Sequence, residues 1–412
     1  MSTRFLSRRA LMAAAAASVL VSATALAAEK KYDAGASDTE IRIGNTYPYS
    51  GPASSYGIMG ATEAAYFKMV NEQGGINGRK VKFISYDDAY SPPKAVEQTR
   101  KLVENDEVLA IFNTFGSPAN SAIQRYLNAK KVPQLFLATG ASKFNDPKNF
   151  PWTMGFQPNT RDEAHVYVDF IKKERPNAKV AILYQNDDFG KDYLEGVKEA
   201  LGADYKKYVV AEVAYDISEP TVDSQLLRMQ ASGADTVLSF STPKFTAQSI
   251  RKMAALNWKP LHIVATASAS AAMVMRPAGL ENSQGVITSS YMMSPDDPGW
   301  NDNADMKAWR AFMEKYMPGA DMGNSGHMYG YVVSQAMHKV LEAAGDNLTR
   351  ENIMKQASNL KNVHIKGFLP GITLNTAPGD HAPVKQMQMV RFKGEGWERF
   401  GDVLGAASKP AH

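Results

Sequence analysis

Four segments of the chain concentrate side chains that could do chemistry or bind a small molecule. Each is rich in hydroxyl, amide, aromatic or carboxylate groups, and they are residues 47–57, 113–118, 139–142 and 185–190. The last contains the carboxylate pair Asp187–Asp188, which could serve acid–base catalysis, although loop aspartates more often form turns or cap helices. The other three offer hydrogen-bond donors and aromatic rings, a combination that favours binding over reaction.

The sequence motifs of common enzyme classes are missing. The chain has no G-x-S-x-G, no Walker phosphate loop and no G-x-G-x-x-G after a predicted strand. It has no cysteine, which excludes disulfides, thiolate zinc sites and cysteine nucleophiles, and its seven histidines form no H-E-x-x-H. We therefore predict a protein that is not an enzyme and has no catalytic residues, no metal and no cofactor. A hydrolase or other α/β enzyme is the alternative class.

Composition is that of an ordinary soluble globular protein. The 412 residues are 44% hydrophobic and 21% charged, with a formal net charge of +4. This length exceeds what a single core usually supports, so two domains are expected. A nucleic-acid-binding protein would need a clustered basic surface, and this charge balance gives no basis for one.

The N-terminus resembles an export signal. Arg4, Arg8 and Arg9 precede an alanine-rich apolar run that ends in the A-x-A sequence Ala25–Leu26–Ala27. No other segment approaches the roughly 20 apolar residues of a membrane span. We predict that residues 1–27 are a cleaved signal peptide, by either the Sec or the twin-arginine route, and that the mature protein is periplasmic, without stable membrane insertion.

The four segments lie between predicted strands and helices, which must hold them in place. Short apolar strands alternate with helical patterns of ten to fifteen residues, as in βαβ units; strands are predicted at 41–46, 81–86, 108–112, 135–138, 180–184, 208–214, 236–239, 261–265 and 286–292. A short helix is predicted from Asn347, and a terminal hairpin over 385–400. The fold class is therefore α/β, and such sheets bind ligands at the carboxyl ends of their strands.

Several of these stretches together resemble one family. They are I-R-I-G-x-x-x-P-x-S-G-P-A-S-S-Y-G (41–57), G-G-I-N-G-R-K-V (74–81), D-D-A-Y-S-P-P-K-A (87–95) and Y-Q-N-D-D-F-G-K-D-Y-L-E-G (184–196). The chain resembles the periplasmic solute-binding proteins of ABC importers, in the type I, branched-chain-amino-acid-like (Leu/Ile/Val-binding-protein-like) class. Residues 371–389 are similar to members that bind aromatic acids.

The resemblance implies two lobes, each a mostly parallel sheet flanked by helices, joined by three hinge crossovers. Lobe 1 would comprise residues 38–158 plus 289–380, and lobe 2 residues 159–288 plus 381–405. The lobes would enclose a small ligand and deliver it to an ABC transporter permease, with the binding protein acting as a monomer.

Free N–H groups at helix N-termini favour an anion, and hydroxyl groups beside them can add donors. A ligand carboxylate is therefore expected against 115–117 and 139–142, although these hydroxyls could instead simply cap helices. Aromatic residues would frame the rest. The predicted ligand-binding residues are Tyr56, Phe115, Gly116, Ser117, Thr139, Gly140, Ala141, Ser142, Phe189, Thr242, Thr266 and Tyr291. Arg161, Lys244 and Arg276 are further possible partners of a carboxylate.

Two departures from the amino-acid-binding pattern bear on the ligand. The family position for the acid that holds an ammonium group falls within 265–270 (A-T-A-S-A-S), which contains no acid, and Phe189 stands where a tyrosine often assists. The hypothesis is therefore a ligand without an α-ammonium group, with an aromatic acid such as a benzoate or hydroxycinnamate derivative favoured. The alternative is a branched-chain or other amino acid or amide, whose ammonium group Asp187 or Asp188 would hold.

Overall fold

The computed structural model describes residues 30–405, so the predicted signal peptide at 1–27 lies outside the described residues. Within this range no helix combines the length and the apolar character needed to cross a membrane. The strands are β1 (Lys31–Tyr32), β2 (Glu40–Tyr47), β3 (Lys80–Asp87), β4 (Ala110–Phe112), β5 (Gln134–Leu137), β6 (Thr153–Gly155), β7 (Val180–Gln185), β8 (Val209–Tyr215), β9 (Thr236–Phe240), β10 (Leu261–Val264), β11 (Ile287–Ser290), β12 (Asn347–Leu348), β13 (Gln386–Lys393) and β14 (Gly396–Gly405).

Helices connect most of these strands. The α-helices are α1 (Gly57–Glu72), α2 (Pro92–Glu104), α3 (Ser117–Lys130), α4 (Thr160–Glu174), α5 (Asp188–Leu201), α6 (Tyr205–Tyr208), α7 (Asp223–Ala231), α8 (Pro243–Ala255), α9 (Arg276–Ala278), α10 (Ala304–Tyr316), α11 (Ser325–Ala344) and α12 (Arg350–Ala357). Short 3-10 segments occur at Ser54–Tyr56, Ser142–Phe144, Gly202–Asp204, Thr266–Ser268 and Pro298–Trp300, and a π-helical turn at Ala271–Met275.

Lobe 1 is built on a five-stranded parallel sheet in the order β3-β2-β4-β5-β6. Strands β4 and β5 are fully buried, as expected where helices cover both faces of a parallel sheet. Helices α1 and α11 pack against each other beside it, with Thr62 Oγ1 2.8 Å from His327 Nδ1 and Tyr66 Oη 3.1 Å from His338 Nδ1. This core therefore joins residues from early and late parts of the chain.

Lobe 2 is built on a seven-stranded sheet in the order β14-β13-β11-β10-β9-β7-β8. The hairpin β13–β14 is antiparallel to β11, which confirms the predicted terminal hairpin. Alternating side chains of β7 serve two cores: Ile182 packs with Val197 of α5, and Leu183 packs with Leu226 of α7. Helices thus cover both faces of the parallel part of the sheet.

The chain passes from one sheet to the other three times: between β6 and α4, between β11 and α10, and between α12 and β13. The predicted α/β fold with two lobes is confirmed. The exact lobe limits stay a prediction, because a hinge position is defined by movement between two arrangements of the lobes.

Local differences from the predicted elements have physical reasons. Strand β6 was not predicted, since three residues carry too little periodicity to detect. Helix α5 begins at Asp188 because Asp187 caps it, its Oδ1 accepting the amide protons of Phe189 (3.0 Å) and Gly190 (3.3 Å). The helix predicted from Asn347 is wrong at its start. Asn347 pairs with β1, and Thr349 caps a helix that begins one residue later.

Candidate functional site

A cavity between the lobes, which we call the interlobe cavity, lies at the carboxyl ends of the strands. Its empty space is about 710 Å³, a figure that includes space open to solvent. Loops that follow strands of both sheets form its wall. The lining residues are Tyr56, Met59, Tyr90, Phe115, Gly116, Ser117, Ala138, Thr139, Gln157, Phe189, Thr242, Thr266, Ala267, Ser270, Met273, Tyr291, Met292, Ser325 and Tyr329.

Most of the predicted ligand-binding residues lie on this wall; they are Tyr56, Phe115, Gly116, Ser117, Thr139, Phe189, Thr242, Thr266 and Tyr291. Gly140, Ala141 and Ser142 do not. The Ala141 amide donates to Thr139 Oγ1 (3.1 Å), and Ser142 donates to Asp192 through both its amide (2.8 Å) and its hydroxyl (2.6 Å). Since Asp192 belongs to α5 of lobe 2, Ser142 links the two lobes. It does not line the cavity.

The predicted anion cradle at the start of α3 is smaller than expected. The amides of Phe115 and Gly116 already donate to the carbonyls of Thr46 (3.1 Å) and Ala138 (3.2 Å). The Ser117 amide has no acceptor among residues 30–405, and the Ser117 hydroxyl lies 2.7 Å from Thr139 Oγ1. The donors available to a ligand here are therefore the Ser117 amide and the two paired hydroxyls.

Gly116 allows a tyrosine from a neighbouring loop to reach the cavity. Its φ of 89° is in the left-handed region, and a Cβ atom there would lie 2.7 Å from the Tyr90 ring. The Tyr90 hydroxyl, in turn, donates across the cleft to Asp187 Oδ2 (3.2 Å) and accepts from Gln185 Nε2 (3.3 Å). Tyr90 thus lines the site and also joins the lobes.

Aromatic rings form much of the wall. The Tyr56 ring packs on Phe115 with centroids 4.3 Å apart, and Tyr90 lies 6.0 Å from the same ring. The Tyr56 hydroxyl donates across the cleft to the Ala267 carbonyl (2.9 Å). From lobe 2, the half-buried Phe189 packs edge-on against Tyr193 at 5.3 Å. This wall suits a flat ring.

A buried network in lobe 1 orients the Tyr329 hydroxyl. Asn113 Oδ1 accepts from the Tyr47 hydroxyl (2.5 Å), so Asn113 Nδ2 is left to donate to Tyr329 Oη (3.0 Å). Tyr47 also contacts Glu63 (2.9 Å), whose pKa is raised well above its usual value by burial. Because Tyr329 accepts from Asn113, its own proton is available to an acceptor in the cavity.

A second buried carboxylate, Glu163, lies behind the lobe 2 wall. It accepts from the Thr266 amide (2.8 Å) and from the hydroxyls of Tyr167 (2.6 Å) and Tyr193 (2.8 Å). Burial raises the pKa of Glu163, and these three donors act in the opposite direction. Glu163 therefore fixes the backbone at Thr266, and its oxygens are already used.

The cavity wall carries no acidic, basic or histidine side chain among the described residues. The cations considered from the sequence are engaged elsewhere: Arg161 with Asp192 and Glu199, and Arg276 with Asp296 and Asp321. Lys244 donates to the Glu219 carbonyl (3.3 Å). Within residues 30–405 no group of three or more acidic or histidine side chains is placed to hold a metal ion. The groups that line the cavity directly are therefore neutral donors, aromatic rings and apolar side chains.

Several lining residues carry no sequence signal of their role. Tyr90, Gln157 and Ser325 come from three parts of lobe 1 that are far apart in sequence, and only the folding of that lobe brings them together. Tyr329 also lines the cavity and is not among the predicted ligand-binding residues. Its position on α11, about 210 residues after Phe115 in sequence, gives no local pattern to detect.

Comparison with known proteins identifies the family of the chain. Residues 40–396 match the model of the periplasmic binding protein family, which is most of the chain. The chain belongs to the periplasmic binding protein family. Among curated members, it is 24% identical over 262 residues to Leu/Ile/Val-binding protein homolog 7 of Brucella suis, covering 61% of this chain and 64% of that one. It is 28% identical over 207 residues to an amino acid binding protein of Pseudomonas aeruginosa, covering 48% and 53%. The matched stretch thus spans less than two thirds of either relative.

Solved members of the family share the two-lobed type I fold. A branched-chain amino acid ABC transporter protein from Thermus thermophilus with bound valine has a TM-score of 0.79 and 16% identity, covering 90% of this chain and 97% of that one. A solute-binding protein from R. palustris in complex with benzoate has a TM-score of 0.73 and 21% identity, covering 89% and 98%. The resemblance to the Leu/Ile/Val-binding class, predicted from the sequence motifs, is confirmed.

Proposed function

We propose that this periplasmic binding protein is the solute-binding component of an ABC uptake system and encloses a small aromatic carboxylic acid, such as a benzoate or hydroxycinnamate derivative. The observation that carries the proposal is the uncharged, aromatic wall of the interlobe cavity. An enclosed ammonium group with no anionic partner would cost several kcal/mol. An aromatic ring, by contrast, can pack on Tyr56, Phe115 and Phe189.

The carboxylate would bind at the start of α3 and at Tyr329. The Ser117 amide and hydroxyl, the Thr139 hydroxyl and the Tyr329 hydroxyl offer neutral donors. A helix N-terminus adds a favourable potential for a negative charge. In this role the protein binds without catalysis, acts as a monomer in the periplasm and passes its ligand to a permease.

A branched-chain amino acid or amide is the second candidate. It is favoured by the names of the curated relatives and by Asp187. The Asp187 carboxylate does not line the cavity itself, but it lies 3.2 Å from the hydroxyl of Tyr90, which does. A small movement of Tyr90 would let an ammonium group reach Asp187. In that case Asp187→Asn would abolish amino-acid binding.

Calorimetric titration of the purified protein separates the two candidates. Benzoate, 4-hydroxybenzoate and 4-hydroxycinnamate are titrated beside leucine and valine, and the aromatic acids are expected to bind while the amino acids do not. Tight leucine binding with none of the aromatic acids would contradict the proposal. A thermal shift with the same compounds gives a second readout, because a ligand at 100 times its Kd stabilises the folded state by about 2.7 kcal/mol. Recovery of the bound acid unchanged tests the non-catalytic role.

A further inference from the structure

A second chamber lies beside the interlobe cavity, next to the crossover that follows β11. It encloses about 550 Å³ of empty space, part of it open to solvent. Its lining residues are Thr266, Ala269, Ser290, Met292, Met293, Ser294, Asp297, Trp300, Ser325, Leu369, Val390, Trp397 and Arg399. It is therefore also formed by both lobes, with the crossover between them.

The two spaces share a wall. Thr266, Met292 and Ser325 line both the interlobe cavity and the second chamber. Thr266 is held by Glu163 and by Ser289, whose Oγ lies 2.7 Å from Thr266 Oγ1. Met292, which is only half-buried, has an unbranched and adaptable side chain. Met292 is thus the part of this wall that can move most easily.

The second chamber is chemically suited to an apolar group. Met293, Leu369 and two tryptophans, Trp300 and Trp397, form much of its lining. Its two charged side chains are already engaged with each other: Arg399 Nε lies 3.8 Å from Asp297 Oδ2, and the Arg399 guanidinium lies 4.0 Å above the Trp300 ring. Neither charge requires a partner on a ligand.

We infer that the ligand is elongated: its carboxylate and ring occupy the interlobe cavity, and an apolar tail of several carbons passes Met292 into the second chamber. The inference rests on the proposed function, since it takes the carboxylate to bind at Ser117, Thr139 and Tyr329. It adds the substrate class, namely aryl carboxylic acids with an aliphatic substituent opposite the carboxylate. The tail gains affinity by removing its apolar surface from water.

A series of 4-alkylbenzoates tests this inference by calorimetry. Benzoate, 4-ethylbenzoate, 4-propylbenzoate and 4-butylbenzoate differ only in tail length. Full burial of each methylene is worth about a fourfold decrease in Kd, so 4-butylbenzoate is expected to bind at least tenfold tighter than benzoate. If benzoate binds but the Kd stays level or rises along the series, the inference that a tail occupies the second chamber is wrong. The proposed function would be unaffected by that result.

One single variant and one matched pair of variants locate the tail. Ala269 lines only the second chamber, so Ala269→Phe should leave benzoate affinity unchanged and remove the gain from the butyl group. Met273 lines only the interlobe cavity, whereas Met292 lines both. Met273→Ala should therefore weaken benzoate and 4-butylbenzoate equally, whereas Met292→Ala should increase the advantage of the butyl compound.

The outcomes separate the two proposals. Loss of binding for the entire series, benzoate included, would contradict the proposed aromatic-acid function and with it this inference. A butyl gain that survives in Ala269→Phe would contradict only the route through the second chamber. Thermal unfolding of each ligand-free variant confirms that the protein is folded before its affinity is interpreted.

Discussion

Phe189 is the ring that lobe 2 contributes to the cavity opposite Tyr56 and Phe115. If it packs on a ligand ring, Phe189→Ala should weaken binding of benzoate roughly tenfold, because an aromatic pair contributes about 0.5–1.5 kcal/mol beyond its buried area. Calorimetry gives the change in Kd. Phe170→Ala is the matched control, since Phe170 is also half-buried in lobe 2 but packs on Phe400 at 5.7 Å and does not line the cavity. An unchanged Kd for Phe189→Ala would assign the ligand ring to another wall.

Tyr329 is expected to donate to the ligand carboxylate. Tyr329→Phe removes this donor to a charged acceptor, so the Kd of benzoate should rise about tenfold or more. Tyr331→Phe on the same helix serves as the control; the Tyr331 ring packs on Phe312 at 5.0 Å and does not line the cavity. Equal losses in the two variants would attribute the effect to helix α11 and not to a hydrogen bond with the ligand.

At the residue scale, the sequence predicted which loops form the cavity better than it predicted which hydrogen-bond donors in them are free. Tyr56, Phe115 and Phe189 lie in loops that follow predicted strands, where α/β sheets bind ligands, and the family resemblance points to the same loops. Ser142 follows a strand as well, yet its donors point to Asp192 of the other lobe. Which donors remain free depends on contacts across the cleft, and no local pattern in the sequence encodes them.

At the scale of elements, α5 of lobe 2 is bound to lobe 1 by two aspartates. Asp188 Oδ2 accepts from Ser121 Oγ (2.6 Å) and Lys143 Nζ (2.9 Å), and Asp192 accepts from both donors of Ser142. Arg161 Nε holds Asp192 from its own lobe at 2.9 Å. These bonds stabilise the arrangement in which the lobes enclose the cavity, although none of them involves the cavity wall.

Removing one of these bonds should therefore weaken ligand binding without touching the ligand. Ser142→Ala deletes a charge-assisted bond to the largely buried Asp192, so the Kd of benzoate is expected to rise several-fold. Ser232→Ala is the control, because the Ser232 hydroxyl donates only to the Met229 carbonyl within lobe 2. If both variants bind as tightly as the natural protein, the interlobe bonds do not contribute to closure.

Element boundaries followed from the sequence where strands were long. The predicted strand 180–184 corresponds to β7 at Val180–Gln185, and 41–46 to β2 at Glu40–Tyr47. The three residues of β6 and the two of β12 were missed, because pairing with a neighbouring strand and not local composition makes them strands.

At the scale of the whole molecule, His262 couples the stability of lobe 2 to pH. It is buried in β10 with Nε2 2.8 Å from Ser239 Oγ, and burial lowers its pKa from 6.5 to about 3. The folded protein therefore keeps His262 neutral while the unfolded chain takes up a proton below about pH 6.5. Stability from this group is fully present above pH 6.5 and is lost as pH falls toward 3.

His262→Gln should reduce this acid sensitivity. Between pH 7.5 and pH 5 the histidine costs the natural protein about 2 kcal/mol of unfolding free energy, whereas glutamine does not titrate. Urea unfolding at the two pH values measures the loss for each protein, and the difference between their losses isolates His262 from other titrating groups. Equal losses would mean that His262 is protonated in the folded state.

The contact between α1 and α11 has a consequence for the order of folding. Thr62 and Tyr66 meet His327 and His338, more than 260 residues later in the chain, so the core of lobe 1 cannot close until nearly all of the polypeptide is available. The intervening residues 160–290 build most of the lobe 2 sheet from neighbouring βαβ units, whose contacts are closer in sequence. Contacts of such long range slow folding. During synthesis the apolar sheet of lobe 1, whose strands are made first, is therefore expected to stay incompletely covered until α11 arrives.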